Sequence, residues 1–204
     1  EDDSAYNYIM VQKIDEFVVL RLNEGQGVHS IYHPTVLSYG GPWDQVSAAP
    51  FFNPAPYDLD NVQRIAIVGL AAGTAARQAT AIFGPDVVID GIEIDPEIVE
   101  VAREYFDMNM PNLNVILKDG RVGLKESEYL YQVISVDAYR PPYIPWHLTT
   151  REFFQIAYDH LSEDGVLVIN AGRAPGDRRM VDGLAVTIGE VFPSVYVMDL
   201  PDTF

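Results

Sequence analysis

Cysteine, basic residues and long apolar runs are what this 204-residue sequence lacks. Without cysteine there can be no disulfide, no thiolate nucleophile and no zinc–sulfur site. Only 13 lysine and arginine residues stand against 30 acidic ones, and the net charge of −17 would repel a nucleic-acid backbone. No apolar run approaches the roughly 20 residues of a membrane-spanning helix, so we expect no membrane contact by this segment itself.

The histidines and serines also show no pattern typical of metal binding or of hydrolysis. The four histidines show no metal-ligand spacing. No serine lies in the Gly-x-Ser-x-Gly turn that presents a nucleophile in hydrolases. We therefore predict no metal site and no catalytic triad.

The N-terminal part is rich in short β-type runs. YNYIMVQ, EFVVLRLN and VHSIYHP predict strands, and the turn residues NEGQG separate the last two, so we expect a small antiparallel sheet. The stretch from Tyr39 to Asp58 contains too much proline for a long regular element and predicts a connector. We place one domain at residues 1–58 and a second at residues 59–204.

The second domain alternates strand and helix patterns. RIAIVG, DVVIDGIEI, NVILKD, YQVISVD, GVLVINA and SVYVMDL predict strands, and helical patterns separate them. Continuous valine and isoleucine runs between amphipathic helices indicate a parallel sheet covered on both faces. The predicted fold class is α/β, a Rossmann-like doubly wound sheet preceded by the small antiparallel β domain.

The segment VGLAAGTAARQ forms the turn after the first of these strands. A dinucleotide-binding GxGxxG turn needs its second glycine so that the backbone can approach a pyrophosphate. Here the corresponding residues are Gly69, Ala71 and Thr74, so the turn does not predict pyrophosphate binding. Gly69 and Gly73 remain for a tight turn whose amides could face an uncharged sugar or a carboxylate.

Acidic residues follow three successive strands of this domain: Glu93, Asp119 and Asp137. Parallel strands bring their carboxyl ends to one edge, where open α/β sheets bind ligands. At the second strand, a carboxylate such as Glu93 can accept both hydroxyls of a ribose. A single acid at a strand end is more often a helix N-cap, and we expect Asp95, before a proline, to be one.

Several segments resemble successive motifs of the spermidine synthase (polyamine aminopropyltransferase) family: VGLAAG, GIEIDPEIVEVAREYF, VILKDGRVGL and YQVISVDAY…PPYIPWHLTTREFF. LRLNEGQGVHSIYHP resembles the β-hairpin domain that precedes them in that family. The resemblance implies the class I S-adenosylmethionine-dependent methyltransferase fold. NEGQGVHS with GGPWD looks more like a spermidine-synthase-like branch often joined to membrane-spanning segments, so we expect a cytoplasmic protein or a soluble domain of a membrane-anchored one.

The resemblance also implies which residues bind a nucleoside. The co-substrate would be S-adenosylmethionine or its decarboxylated form. Glu93 would hold the ribose hydroxyls, and Asp119 with Gly120 would meet the adenine edge. The full set implied to bind the nucleoside is Gly69, Ala71, Gly73, Glu93, Ile94, Asp119 and Gly120.

Two catalytic residues follow from the same resemblance. Asp137 matches the first acid of the family motif D-[SA]-[ST]-D, which orients the attacking amine and accepts its proton. Tyr39 would be a substrate-facing tyrosine at the domain junction, or an aromatic residue that packs the connector onto the sheet. The residues expected to contact the acceptor, a small-molecule amine or other small acceptor, are His29, Tyr139, Arg140 and Trp146; surface packing is the alternative for the aromatic ones.

Two departures from the family pattern affect polyamine binding. The acid of the family's G-G-G-D-G motif, which helps to bind the aminopropyl amine, is replaced by Ala72, and the second acid of D-x-x-D is replaced by Arg140. Reversing a charge at about 4 Å changes the interaction by several kcal/mol at an effective dielectric constant near 20. Arg140 could instead point outward and pair with a surface acid.

We therefore predict an aminopropyltransferase-like enzyme with altered or reduced polyamine synthesis, which binds the nucleoside of S-adenosylmethionine, its decarboxylated form or methylthioadenosine. The alternatives are a small-molecule methyltransferase dependent on S-adenosylmethionine and a catalytically inactive binding domain of a larger protein. We also expect a homodimer, because the small N-terminal hairpins need cover for their apolar face.

Overall fold

A computed structural model describes residues 1–23, 25, 27–138, 144–172 and 176–200. Its N-terminal sheet is antiparallel and confirms the three predicted strands, with one short strand added at the beginning. The strands pair in chain order as β1 (Asp2–Asp3), β2 (Tyr8–Ile14), β3 (Phe17–Leu22) and β4 (Ser30–Tyr32).

The connector contains only short elements, as its prolines predict. Helix α1 (Pro42–Ala48) begins with proline at its first position, where the missing N–H removes no helical hydrogen bond. Two 3₁₀ turns follow, at Ala49–Phe52 and Leu59–Asn61.

The second sheet is parallel and confirms the predicted α/β class. Its strands are β5 (Arg64–Val68), β6 (Val88–Glu93), β7 (Leu113–Leu117), β8 (Tyr131–Val136) and β9 (Leu161–Ile169), in the spatial order β7-β6-β5-β8-β9. The chain moves outward from β5 to β7 and then returns to the other side of β5 with β8. The loops after β5 and β8 therefore diverge at a topological switch point, where open α/β sheets have a crevice.

Helices separate the parallel strands in sequence: α2 (Thr74–Phe83), α3 (Pro96–Tyr105), α4 (Gly120–Lys125) and α5 (Arg151–Asp159), with α6 (Arg179–Gly189) after β9. In the central strand β5, the residues from Ile65 to Val68 are at most 1% exposed, so both faces of the sheet are covered. None of the helices in the described part of the chain has the length and apolar character needed to cross a bilayer.

The N-terminal sheet packs against the α/β unit. Ile9, Leu20 and Ile31 belong to the same buried cluster as core residues of the parallel sheet. Polar contacts fix this packing, because the Thr74 hydroxyl donates to the carbonyl of Ile31 and accepts from its N–H, each at 2.9 Å. The apolar face of the hairpins is thus covered within one chain, so it gives no reason to expect a second subunit. The homodimer stays a prediction.

The predicted last strand, SVYVMDL, is wrong, because residues 194–200 form neither helix nor strand. Val195, Tyr196, Val197 and Met198 are exposed, and the ring of Tyr196, which is 70% exposed, lies 5.5 Å from that of Phe52. Valine and tyrosine favour strands, but a strand also needs a neighbour that completes its backbone hydrogen bonds. Among the described strands, none pairs with this segment.

Candidate functional site

The glycine turn and the predicted acids meet at the carboxyl edge of the parallel sheet. Backbone hydrogen bonds tie their loops together: the Asp137 N–H donates to the carbonyl of Val68 at 2.9 Å, and the Lys118 N–H donates to the carbonyl of Glu93 at 3.0 Å. The structure therefore brings together the loops that carry Gly69, Glu93, Asp119 and Asp137.

Gly69 touches the loop of Asp137. Its φ is +89°, in the left-handed region, and a β-carbon there would lie 2.6 Å from the carbonyl oxygen of Asp137. Only glycine allows the two backbones to come this close. The turn after β5 therefore packs directly against Asp137 and Ala138, the first two residues after β8.

The amides of the glycine turn all bind protein acceptors. The amides of residues 69 and 70 donate to the carbonyl of Ile92, and the Gly73 amide donates within the turn. The amide of Ala71 donates to Glu93 Oε2 at 2.9 Å, and that of Ala72 donates to the Ser30 hydroxyl at 3.0 Å. One of these amides thus faces a carboxylate, that of Glu93, and the others already have acceptors within the protein; contact between this turn and a sugar stays a prediction.

Ala71 and Ala72 show how the turn is built without further glycines. Ala71 has a φ of +47°, a conformation that non-glycine residues rarely adopt. Ala72 is only 4% exposed and its methyl group belongs to the core. The position that carries an acid in the family motif is therefore apolar and buried here.

Glu93 is a structural acceptor as well as a predicted ligand residue. It is 7% exposed, and its Oε1 accepts the amides of Ile94 at 2.9 Å and Asp95 at 3.1 Å. Burial raises its pKa, while the hydrogen bonds from Ala71, Asp95 and Ile94 oppose that rise. With Oε1 taken by two amides and Oε2 by one, a single acceptor position remains on Oε2. The predicted pair of ribose hydroxyls is thus reduced to one that binds without displacing a backbone amide.

The two residues after Glu93 have different roles. The Ile94 side chain is 39% exposed at the site edge, where it can cover an apolar face of a ligand. Asp95 is confirmed as the N-cap of α3, since its Oδ1 accepts the amide of Glu97 at 3.2 Å. Its Oδ2 accepts from Ser4 at 2.5 Å and from Asn7 at 2.8 Å, which fastens the N-terminal segment beside the site.

Asp119 begins helix α4. Its Oδ1 accepts the amides of Arg121 at 3.0 Å and Val122 at 3.1 Å, and its Oδ2 lies 2.8 Å from His147 Nε2. The adjacent Gly120 must be glycine, because a β-carbon there would lie 2.5 Å from a buried side chain of β5. Sequence reasoning missed His147, which lies 28 residues from Asp119 and carries no spacing signal.

Asp137 is a carboxylate with a raised pKa and one fixed hydrogen-bond donor. Burial raises its pKa from 3.8 to about 6, while a hydrogen bond from Asn170 opposes the rise. Asn170 Nδ2 donates to Asp137 Oδ1 at 2.9 Å, and its own amide is fixed to the carbonyl of Val136 at 3.0 Å. Sequence reasoning missed Asn170 because only acids at the strand ends were considered, although it follows β9 as Asp137 follows β8.

Tyr39 lies on the N-terminal side of the structure. Its hydroxyl donates to the carbonyl of Val36 at 2.8 Å, and its ring meets that of Phe17 edge-on at 6.5 Å. These contacts fit the packing alternative. No hydrogen bond between described residues joins Tyr39 to Asp137, so its catalytic role remains a prediction.

The predicted acceptor residues are only partly placed. Burial, helped by the charge of Arg21, lowers the pKa of His29 from 6.5 to about 4, and its Nδ1 is buried without a hydrogen-bond partner in the described part of the chain. Trp146 is 77% exposed beside His147. Tyr139 and Arg140 lie outside the described residues.

Two glycine-to-alanine variants test the close contact at the turn. Gly69 and Gly84 both have a left-handed φ, but a β-carbon on Gly84 would meet nothing within 4 Å. Gly84→Ala should lower the free energy of unfolding by about 1–3 kcal/mol through backbone strain alone, because its φ of 94° and ψ of 169° lie in a region that only glycine adopts readily. Gly69→Ala should lower it by about 1–3 kcal/mol more, because it also forces the Asp137 loop away. Urea unfolding measures both, and equal losses would contradict the contact.

The hydrogen bond from Asn170 should control the titration of Asp137. Asn170→Ala removes a donor that favours the carboxylate, so the pKa of Asp137 should rise above its value of about 6. Asn114→Ala is the control, because it removes a similar bond to Asp90 Oδ1, of 3.0 Å, elsewhere on the sheet. Carboxyl carbon NMR across pH 4–9 reads the titration, and an unchanged or lower pKa in Asn170→Ala would refute this role.

Comparison with known proteins places this geometry in a family. Residues 55–201 match the family model described as spermine/spermidine synthase domain. The chain is 34% identical, over its whole length and 44% of the relative, to a "Probable polyamine aminopropyl transferase" of Bifidobacterium longum. It is 30% identical to the "Polyamine aminopropyltransferase" of Vibrio vulnificus, over 98% of this chain and 67% of that one.

A solved structure shows the same fold. A probable spermidine synthase from Corynebacterium glutamicum superposes with a TM-score of 0.80 at 24% identity, over 94% of this chain and 70% of that chain. The chain spans about half the length of the curated relatives it matches. The family match covers most of the sequence, and the chain therefore belongs to the spermine/spermidine synthase family.

Proposed function

We propose that this chain binds the nucleoside of decarboxylated S-adenosylmethionine at the carboxyl edge of its parallel sheet and transfers the aminopropyl group to an amine. The observation that carries the proposal is Asp137, whose carboxylate is fixed by Asn170 and has its pKa raised to about 6, and whose backbone packs against the glycine turn. The family relationship supports the reaction class.

The proposed reaction is a displacement at the carbon next to the positive sulfur. The amine nitrogen forms the new C–N bond with its lone pair, and the C–S bond breaks. The electron pair of that bond neutralises the sulfonium, so methylthioadenosine leaves uncharged. The proton lost by the amine passes to Asp137 and then to water.

The pKa of Asp137 suits this role. A protonated amine has no lone pair, so a base must hold the amine and take its proton as the new bond forms. A pKa of about 6 leaves Asp137 ionised at pH 7.5 while making it a better proton acceptor than an ordinary aspartate. Activity should therefore fall as the pH drops through 6, because the protonated carboxyl cannot accept a proton.

The residues at the carboxyl ends of β6 and β7 are proposed to contact the nucleoside. Glu93 offers the open position on Oε2 to a ribose hydroxyl, and Asp119 faces the base edge. Ile94, exposed beside Glu93, covers one face of the base. Gly69, Ala71 and Gly73 keep the turn narrow enough for the sulfur and its substituents to approach Asp137.

The acceptor is proposed to differ from putrescine, or to react slowly when it is putrescine. Arg140, which lies outside the described residues, replaces the acid that binds the diamine in the resembling family, and the buried methyl group of Ala72 replaces the acid that binds the aminopropyl amine of the donor. Losing a charge-assisted contact weakens positioning, and positioning is worth several orders of magnitude in rate. We therefore propose altered or reduced polyamine synthesis.

A product assay tests the proposed transfer. The unmodified chain is incubated at pH 7.5 with decarboxylated S-adenosylmethionine and a panel of amines that includes putrescine, and methylthioadenosine release is measured. We expect slow turnover with putrescine and at least a hundredfold further loss in Asp137→Asn, because general-base catalysis contributes about 10²–10⁴-fold. Asp159→Asn, an exposed acid at the end of α5, is the matched control and should change nothing.

The other outcomes separate the rival functions. Rapid turnover with putrescine would contradict the altered acceptor specificity. Release of S-adenosylhomocysteine from intact S-adenosylmethionine would favour a methyltransferase. Nucleoside binding without release from either compound would favour a binding domain.

A further inference from the structure

One histidine contacts a predicted base-binding acid directly. His147 Nε2 lies 2.8 Å from Asp119 Oδ2, and the two side chains are 30% and 31% exposed. Because an ionised carboxylate only accepts hydrogen bonds, the imidazole Nε2 carries the proton. Neither the family motifs nor the proposed reaction gives this histidine a role.

His147 is held firmly enough to orient another group. It lies in the 3₁₀ turn Trp146–Leu148, and Leu148 anchors that turn in the core at 3% exposure. The backbone carbonyl of His147 accepts a hydrogen bond from Arg121 Nη1 at 3.3 Å, which links the turn to helix α4. The imidazole and the carboxylate are thus held from two elements that are themselves connected.

We propose that His147 is a positioning residue that fixes the Asp119 carboxylate so that its Oδ2 selects a nucleoside base with an exocyclic amino group. This inference rests on the proposed nucleoside binding. Asp119 Oδ1 is saturated by two backbone amides. With the imidazole N–H on Oδ2, one acceptor position remains there, and its direction is set by the imidazole.

The chemistry of that position discriminates between bases. An amino group, as on adenine, donates to Oδ2. A carbonyl oxygen at the same place, as on hypoxanthine, would meet a carboxylate that can only accept, so the two oxygens repel and both remain unpaired. Without His147 the carboxylate is held only through the two amides on Oδ1, so Oδ2 can shift and bind water, and the discrimination falls.

Calorimetric titration of the whole chain with methylthioadenosine and methylthioinosine tests the proposal. The measured quantity is the ratio of the two affinities. We expect the unmodified chain to prefer the adenine compound at least tenfold, and His147→Ala to reduce that ratio at least fivefold. His147→Gln restores an N–H donor and should recover most of the ratio.

Two further variants make the test specific. His147→Phe keeps a ring beside Trp146 but removes the N–H, so it should behave like alanine and serves if His147→Ala does not fold. His160→Ala is the control, because the His160 ring is also fixed by hydrogen bonds, to the carbonyls of Ile156 and Ser127, but lies just before β9, at the opposite end of the parallel strands from His147. It should leave the ratio unchanged.

The result that overturns the proposal is an unchanged ratio in His147→Phe or His147→Ala, including the case in which both affinities fall equally. That outcome would mean that His147 only stabilises the turn. If the unmodified chain binds neither nucleoside, the proposed function itself fails and this inference fails with it. The two failures are therefore distinguishable.

Discussion

The site depends on the close approach of two backbones at the switch point of the parallel sheet. Gly69 lies against the backbone of Asp137 and Ala138, so the turn after β5 and these two residues after β8 cannot move independently. This contact sets where Asp137, the proposed proton acceptor, lies relative to the glycine turn. Asn170 at the end of β9 then fixes the direction of that acceptor.

Around this contact, the backbone amides already have hydrogen-bond acceptors within the protein. The turn amides bind Glu93, Ser30 and β6, and the N-terminal sheet is fastened to the same turn. Preorganisation costs stability at Asp137, whose pKa is about 6 in the fold against 3.8 in its ordinary state. The fold favours the protonated carboxyl of Asp137. The stabilisation that this preference gives is fully present below pH 3.8 and is lost as the pH rises through 6, so the ionised group costs stability at neutral pH.

The sequence was informative where a pattern has a single physical solution. Continuous apolar runs with helices between them require a parallel sheet, and that sheet places Glu93, Asp119 and Asp137 on one edge. Partners that depend on side-chain direction could not be predicted in the same way. His147 and Asn170 reach their acids only after loops have folded, and the Ala72 amide of the glycine turn binds Ser30 on the separate N-terminal sheet. SVYVMDL failed because strand propensity does not supply a neighbouring strand.

The central claim is that this edge of the sheet is a nucleoside site with an open hydroxyl acceptor on Glu93. Substituting Glu93 would also release three backbone amides, so the more direct measurement changes the ligand. Calorimetric titration of the unmodified chain with methylthioadenosine and with its 2′,3′-dideoxy analogue compares ligands that differ only in the hydroxyls. Loss of one hydrogen bond to a buried carboxylate costs about 1.5–3 kcal/mol, so the analogue should bind at least tenfold more weakly. Equal affinities, or no binding of either compound, would contradict the account.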